Sequence, residues 1–386
     1  MRPERFDVIV IGGGVNGAAA AFQFARERKR VLVLERSKIP LSLGQSFHGR
    51  SKQASVAYDS ARHIRFSLQS LAELSYLEHA SRQKLFFRTG GIDIAEDDGG
   101  FSDLIKIREA MTAVGMDFEE WDHSAVCERI PVWKLPENAR VLYSPNDGII
   151  DPKTTLMAYW RQIVSRGGKI KDEEEVENIL ADGGGVQVMT HKGVYQGKNL
   201  IIACGAWTNA LLDRLNFSLP IKLTLEQNVY YEPAAQSYAD FAAGFFPTWF
   251  HHIKPAVYGF PIFDEPGVKL GFHHGGPEVD MKKIGLPPRR SVTDQLLTSY
   301  LEKYLPIVWG LPFGEESCVY DTTPDKNPYV GFVPGHPNVM VIAGSSGSGF
   351  NKAPGIGRAV KDLIISGRTE MEISDFKIDR FINQSA

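Results

Sequence analysis

Near the N-terminus the hydrophobic pattern changes period twice. Phe6–Ile11 is a short apolar run rich in β-branched residues, and Val31–Leu34 is a second. Such runs predict strands buried on both faces of a parallel sheet. Between them, Val15–Arg28 carries closely spaced alanines and predicts a helix packed tightly on those strands. The three segments together form a predicted βαβ unit.

Further along, Leu41–Ser60 is polar and rich in Gly and Ser, a long loop expected to approach a ligand. Helical periodicity returns at Arg62–Gln83, Phe101–Val114 and Pro152–Ser165. Short strands are predicted within Leu85–Ala95, around Thr89-Gly90-Gly91, and at Val141–Tyr143. Val186–Thr190 and Val194–Tyr195 predict a hairpin, followed by a buried strand at Asn199–Ala203 and a helix ending near Leu215. Gln227–Gly276 alternates aromatic and apolar positions between Pro/Gly turns, the pattern of an antiparallel sheet. The opening pattern then recurs: Asn338–Ala343 is an apolar strand, Gly344–Phe350 a Gly/Ser turn, and a helix is predicted from Pro354, in its first turn, to Ile365.

The expected fold class is therefore α/β, a Rossmann-like domain built from both ends of the chain with a mixed, largely antiparallel domain inserted. The division is placed at 1–85, 145–225 and 315–386 for the first domain, and 86–144 and 226–314 for the second. A chain of 386 residues is long enough for about two domains.

Composition excludes more than it assigns. Forty-three basic against 46 acidic residues give a net charge of −3, which argues against a nucleic-acid surface. Three scattered cysteines, Cys127, Cys204 and Cys318, fit neither a disulfide framework nor a zinc site, and imply a reducing, cytoplasmic setting. No metal site is expected. Arginines at 2 and 5 followed by apolar residues loosely imitate a secretory signal, but three glycines and Asn16 interrupt the run. No apolar stretch approaches the ~18 residues that span a membrane.

The chemistry starts at Gly12-Gly13-Gly14-Val15-Asn16-Gly17. Gly12 permits a tight turn, Gly14 close approach of a pyrophosphate, and Gly17 close helix–strand packing. The helix N-terminus then offers free amides to phosphate, and Glu35 at the end of the second strand can accept bonds from ribose hydroxyls. The fingerprint predicts a dinucleotide without distinguishing FAD from NAD.

Gly12 to Glu35, with Gly205-Ala206-Trp207, the run Gly267–His273, Cys318 and Gly344–Phe350, resembles the D-amino-acid-oxidase-type flavoproteins. The similarity is to the branch of monomeric sarcosine oxidase, N-methyltryptophan oxidase and pipecolate oxidase, in consistent order over nearly the whole chain. The resemblance implies FAD, attached through a thioether from Cys318 to the flavin 8-methyl group. It implies a lysine, Lys269, over the flavin N5 edge, and a substrate site walled by His273, Tyr258 and Tyr320. Cofactor contacts are implied for Gly12, Gly14, Val15, Asn16, Gly17, Glu35, Arg36, Ser46, His48, Gly49, Lys52, Val176, Gly205, Trp207 and Cys318. They are implied also for the turn Gly347, Ser348, Gly349, Phe350, Asn351 and Lys352. By residue type alone, Cys318 would be an inert strand cysteine and Lys269 a solvated one.

Two departures bear on the substrate. Ser55 stands where such relatives hold a carboxylate with arginine, and Asn351 where they hold it with lysine; Lys52 stands at a neighbouring arginine position. Serine offers neither the charge nor the fork of a guanidinium. Either Lys52, Lys352 or Arg50 takes over, or the substrate lacks a carboxylate there, and the second option is favoured. The expected activity is oxidation of a small secondary or substituted amine to an imine by a monomeric enzyme, with oxygen reduced to hydrogen peroxide. The alternatives are oxidation of N-methyl or cyclic amino acids, an amine dehydrogenase with another acceptor, and a non-catalytic flavin-binding partner module.

Overall fold

The computed structural model describes residues 4–39, 49–281 and 285–384. Its first sheet has the parallel order Lys169–Lys171, Val31–Leu34, Arg5–Ile11, Gly193–Ile202 and His336–Ala343. Tyr329–Val333 closes one edge in antiparallel register. Side chains alternate across this sheet as the pleat requires. Val8, Val10, Val31, Val33, Met340 and Ile342 face one core, under helices Val15–Arg26, Ala61–Ser81, Pro152–Ser165 and Gly349–Ser366. Ile9, Ile11, Leu32, Leu34, Val339 and Val341 face the other, beneath the hairpin Val176–Ala181/Val186–Thr190.

The pieces expected at Val194–Tyr195 and Asn199–Ala203 are one strand, Gly193–Ile202. Its first half pairs with the hairpin and its second half with Arg5–Ile11, so the chain stays extended through the polar middle. The segment after Cys204 is helical only in pieces, with Thr208–Leu212 as its α turn between 3-10 turns.

The last helix starts at Gly349, five residues before Pro354, which therefore lies inside it. Proline removes one amide donor and disturbs the ladder around it. Ser70, from helix Ala61–Ser81, inserts there: Gly355 N donates to its Oγ at 3.0 Å, and Oγ donates to Asn351 O at 2.6 Å. A hydroxyl thus bridges a broken rung, and the helix continues.

The second sheet runs Val308–Thr322, Lys222–Pro233, Val268–Phe272, Val257–Phe260, Thr248–His251, Gly91–Ala95, Arg140–Ser144 and Glu119–Trp121. It is antiparallel except where Thr248–His251 meets Gly91–Ala95. The expected boundaries at 225/226 and 314/315 fall inside Lys222–Pro233 and Val308–Thr322, which pair along nearly their whole lengths. A small sheet pairs Gly148–Ile150 with Lys52–Ala54, both assigned to the first domain, and with Phe86–Arg88, assigned to the second. Among the described residues no helix is long and apolar enough to cross a membrane.

Candidate active site

The turn after Arg5–Ile11 is built around absent side chains. Gly12 has φ +103°, and a Cβ there would lie 2.3 Å from Ala203 O; a Cβ on Gly17 would lie 1.9 Å from Gly12 O. Gly14 faces open space, and no side chain caps the helix that follows. Gly17→Ala is expected to force helix and strand apart, at a cost of about 1–3 kcal/mol. A urea titration and the FAD-to-protein ratio check this; wild-type values for both would contradict the packing role.

Glu35 follows the second strand and accepts from Gly13 N at 2.7 Å and Ser37 N at 2.9 Å. Arg36 stacks over Trp207, 3.6 Å from guanidinium carbon to ring centroid. Together with Val15, Val176 and Gly205, these residues line one end of a cavity of about 900 Å³. From the other end of the chain, Gly347, Ser348, Gly349, Phe350, Asn351 and Lys352 line the same cavity. The two turns are joined by Asn16 Nδ2, which donates to Ser345 Oγ at 3.0 Å.

Two anchors carry no sequence signal. Trp160 Nε1 donates to Gly13 O at 3.0 Å. The Asp321 carboxylate accepts from Gly344 N at 2.8 Å and Ser345 N at 3.0 Å. Burial pushes Asp321 up to about 6, while these amide bonds work the other way.

The second sheet supplies the reactive side of the cavity. Lys269 is 2% exposed, donates from Nζ to Ser51 O at 2.7 Å, and lies 4.8 Å from the Phe260 ring centroid. Burial, then the nearby Lys52 charge, brings it down to about 7. Gly49 (φ +88°) leaves room for that ammonium, since a Cβ there would stand 2.7 Å from Nζ. Ser46 and His48 lie outside the described residues.

His273 follows strand Val268–Phe272, its ring against Phe250, Tyr258, His274 and Tyr320. Burial lowers it to about 3, so the imidazole is neutral. Tyr258 donates its hydroxyl proton to Asn228 Oδ1, a partner not foreseen from sequence. Cys318 is 4% exposed; burial raises its thiol pKa, while Lys52 and Lys269 pull it down. Lys269, Ser51, Lys52, Phe260, His273, Phe250, Tyr258, His274, Tyr320, Asn228 and Cys318 line the same cavity.

The expected cofactor contacts Gly17 and Gly49 do not line the cavity; each shapes it from behind, by backbone packing and by space for Lys269. Ser55 and Asn351 are joined to each other: Asn351 Nδ2 donates to Ser55 O at 2.8 Å and to the Tyr58 hydroxyl at 3.0 Å. Arg50 is engaged at the surface by Asp264 and Glu265, both at 3.0 Å. A further unforeseen group lines the cavity behind Phe250. His252 Nε2 is 2.8 Å from Asp93, and Nδ1 is 3.6 Å from Asp103. Burial opposes the His252 charge, but these carboxylates prevail and its pKa is raised.

A glycine turn against a βαβ unit, an acid at the second strand end and a second turn across the cavity define a dinucleotide-binding protein. The donor set fits FAD: uncapped amides, open space at Gly14, and a buried Asn16 Oδ1 with no hydrogen-bond partner. Residues 7–363 match the family described as FAD dependent oxidoreductase, and the chain belongs to that family. It is 30% identical to monomeric sarcosine oxidase of Bacillus sp. (strain B-0618), over 97% of this chain and 96% of that one. It is 31% identical to human peroxisomal sarcosine oxidase, over 98% and 97%. Among solved structures, the open form of NikD, an unusual amino acid oxidase essential for nikkomycin biosynthesis, superposes with a TM-score of 0.83 at 25% identity, covering 97% of this chain and 98% of that one.

Proposed function

We propose that this chain is an oxidase of small secondary or otherwise substituted amines, converting a C–N bond to an imine and passing the electrons to dioxygen, with release of hydrogen peroxide. The observation that carries the reading is the buried Lys269 ammonium in one cavity with neutral His273, Tyr258, Tyr320 and Cys318. Bound there through Cys318, FAD would supply the acceptor for the hydride equivalent. Attachment would exchange one S–H of Cys318 and one methyl C–H for a C–S bond, a two-electron oxidation for which dioxygen would be the acceptor.

The protein's own part is to position and polarise. Tyr258, fixed by Asn228, and Tyr320 wall the amine pocket with His273. A neutral imidazole in a desolvated pocket favours the free-base amine, whose lone pair assists loss of hydride, over the ammonium form. Lys269 has an N–H to spare beyond those to Ser51 O and Oγ, and would direct it at negative charge developing beside it. With few, scattered cysteines the enzyme suits a reducing, cytoplasmic compartment, and it works as a monomer, a reading supported by its similarity to a monomeric sarcosine oxidase.

The test is anaerobic titration with a panel of secondary amines, followed by admission of air. Bleaching of the visible flavin absorption, then recovery with stoichiometric peroxide, is the expected outcome. Bleaching that only a dye or carrier reverses would replace oxygen by another acceptor, and no bleaching with any amine would sink the oxidase reading.

A further inference from the structure

The cavity face of the second sheet gathers Lys269, Tyr230, Glu316 and Cys318 on one patch. Side chains at alternate positions of a strand share a face. In register, Tyr230 opposes Lys269 across one strand pair, and Asn228 opposes Glu316 across the next. The Tyr230 hydroxyl donates to Glu316 Oε2 at 3.1 Å, and its ring centroid lies 5.9 Å from Lys269 Nζ. All three close on Gly49: a Cβ there would stand 2.7 Å from Lys269 Nζ, 3.0 Å from Glu316 Oε2 and 3.1 Å from the Tyr230 hydroxyl. The missing side chain thus lets a carboxylate and an ammonium converge on one backbone position.

Lys52 joins the patch from strand Lys52–Ala54, and it brings a second buried cation. Burial, then Lys52, lowers Lys269 to about 7, and burial lowers Lys52 as well. Glu316 acts on both lysines in the opposite direction. Cys318 can do the same only as a thiolate, and burial resists its ionisation. The other acids of the neighbourhood are engaged elsewhere. Asp264 and Glu265 each meet Arg50 at 3.0 Å, while Glu226 accepts from Thr224 Oγ1 at 2.6 Å and from Gly276 N at 3.0 Å.

From this arrangement we infer that the Glu316 carboxylate is the counter-ion shared by Lys269 and Lys52, a positioning residue that lets two ammonium groups stay charged on one wall of the cavity. Glu316 does not itself line that cavity, so it acts through the lysines. The inference deepens the oxidase reading and rests on it for its consequence: a Lys269 without its proton is a poorer donor to negative charge developing on dioxygen. Lys269 is charged below its pKa, so removing the carboxylate moves the loss of that charge to lower pH.

The experiment follows the lysines of the holoenzyme directly, by NMR of their Cε carbons against pH, with Lys269→Met identifying the signal. A unit charge about 5 Å away acts on a titrating group by up to roughly two pH units at an effective dielectric near ~20. In Glu316→Gln the Lys269 midpoint should therefore fall by about one to two pH units. The high-pH limb of the oxygen half-reaction, read by stopped flow, should fall with it. Glu316→Asp should restore most of the midpoint, and Tyr230→Phe, which keeps the carboxylate, should leave it nearly unmoved. Lys52→Met should raise it, because one of the two cations that share Glu316 is gone. An unchanged midpoint in Glu316→Gln, or an equal fall in Tyr230→Phe, would overturn the inference. So would an unmoved midpoint in Lys52→Met, a result that stands even if Glu316→Gln fails to fold. A midpoint that falls while the oxygen limb stays in place would uphold the counter-ion and remove Lys269 from the oxygen step, so the two readings fail separately.

Discussion

Lys269→Met is expected to slow the reaction of the reduced enzyme with dioxygen by about 10²–10³-fold, the effect of removing one preorganised donor from a developing negative charge. Anaerobic reduction by the amine should change by less than about tenfold, because the proposed amine pocket is walled by Tyr258, His273 and Tyr320. The structure explains the leverage of this one side chain. A 2% exposed ammonium whose acceptors are Ser51 O at 2.7 Å and Ser51 Oγ at 3.5 Å, with two aromatic neighbours, has been stripped of water. Its charge therefore acts at low local dielectric. Burial and Lys52 hold it near 7 in the protein alone, while Glu316 acts to raise it; an anionic neighbour acts in the same direction as Glu316. The oxygen reaction should accordingly decline as pH rises through the Lys269 pKa, and the variant should lose that limb. Stopped-flow measurement of the two half-reactions separates the effects. Equal losses in both halves would remove Lys269 from the oxygen step.

What the sequence revealed followed from how local each signal was. The βαβ unit was legible because Gly12, Gly14 and Gly17 state a backbone requirement that no side chain can satisfy, and Glu35 falls at the strand end that the pattern marks. Cys318 and Lys269 became candidates only through resemblance, since strand periodicity puts the same residue types on any sheet face. Trp160 and Asp321 escaped because each acts at long sequence distance, one on Gly13 O and the other on Gly344 and Ser345. The start of the last helix was misplaced because proline usually opens a helix. Here Ser70, from another helix altogether, repairs the ladder around an interior proline. The acid–histidine group of Asp93, His252 and Asp103 was equally hidden, its three members coming from separate segments.

Cys318→Ala is expected to abolish covalent retention of the flavin, whereas Cys127→Ala and Cys204→Ala should leave it intact. The three thiols differ in surroundings rather than in kind. Cys127 is exposed, 3.4 Å from His123 on a short outer helix, and does not line the cavity. Cys204 reaches the cavity wall, but it donates to Ile11 O at 3.3 Å and burial, with Glu35, pushes it up to about 12. Cys318 is buried as well, and burial and Glu226 resist its ionisation. It alone is flanked by two ammonium groups, Lys52 and Lys269, that favour the thiolate. A thiolate is the competent nucleophile for carbon–sulfur bond formation, so on the proposed attachment the pair of lysines would select which cysteine is used. Lys52→Met should then slow attachment without moving it, leaving a mixture of bound and extractable flavin. Acid precipitation reads all four variants directly: a yellow pellet marks the bond, and a colourless pellet under a yellow supernatant marks its loss. A yellow pellet from Cys318→Ala would place the bond on another residue, and complete, unhindered attachment in Lys52→Met would show that burial, not the lysine pair, sets the reactivity of this thiol.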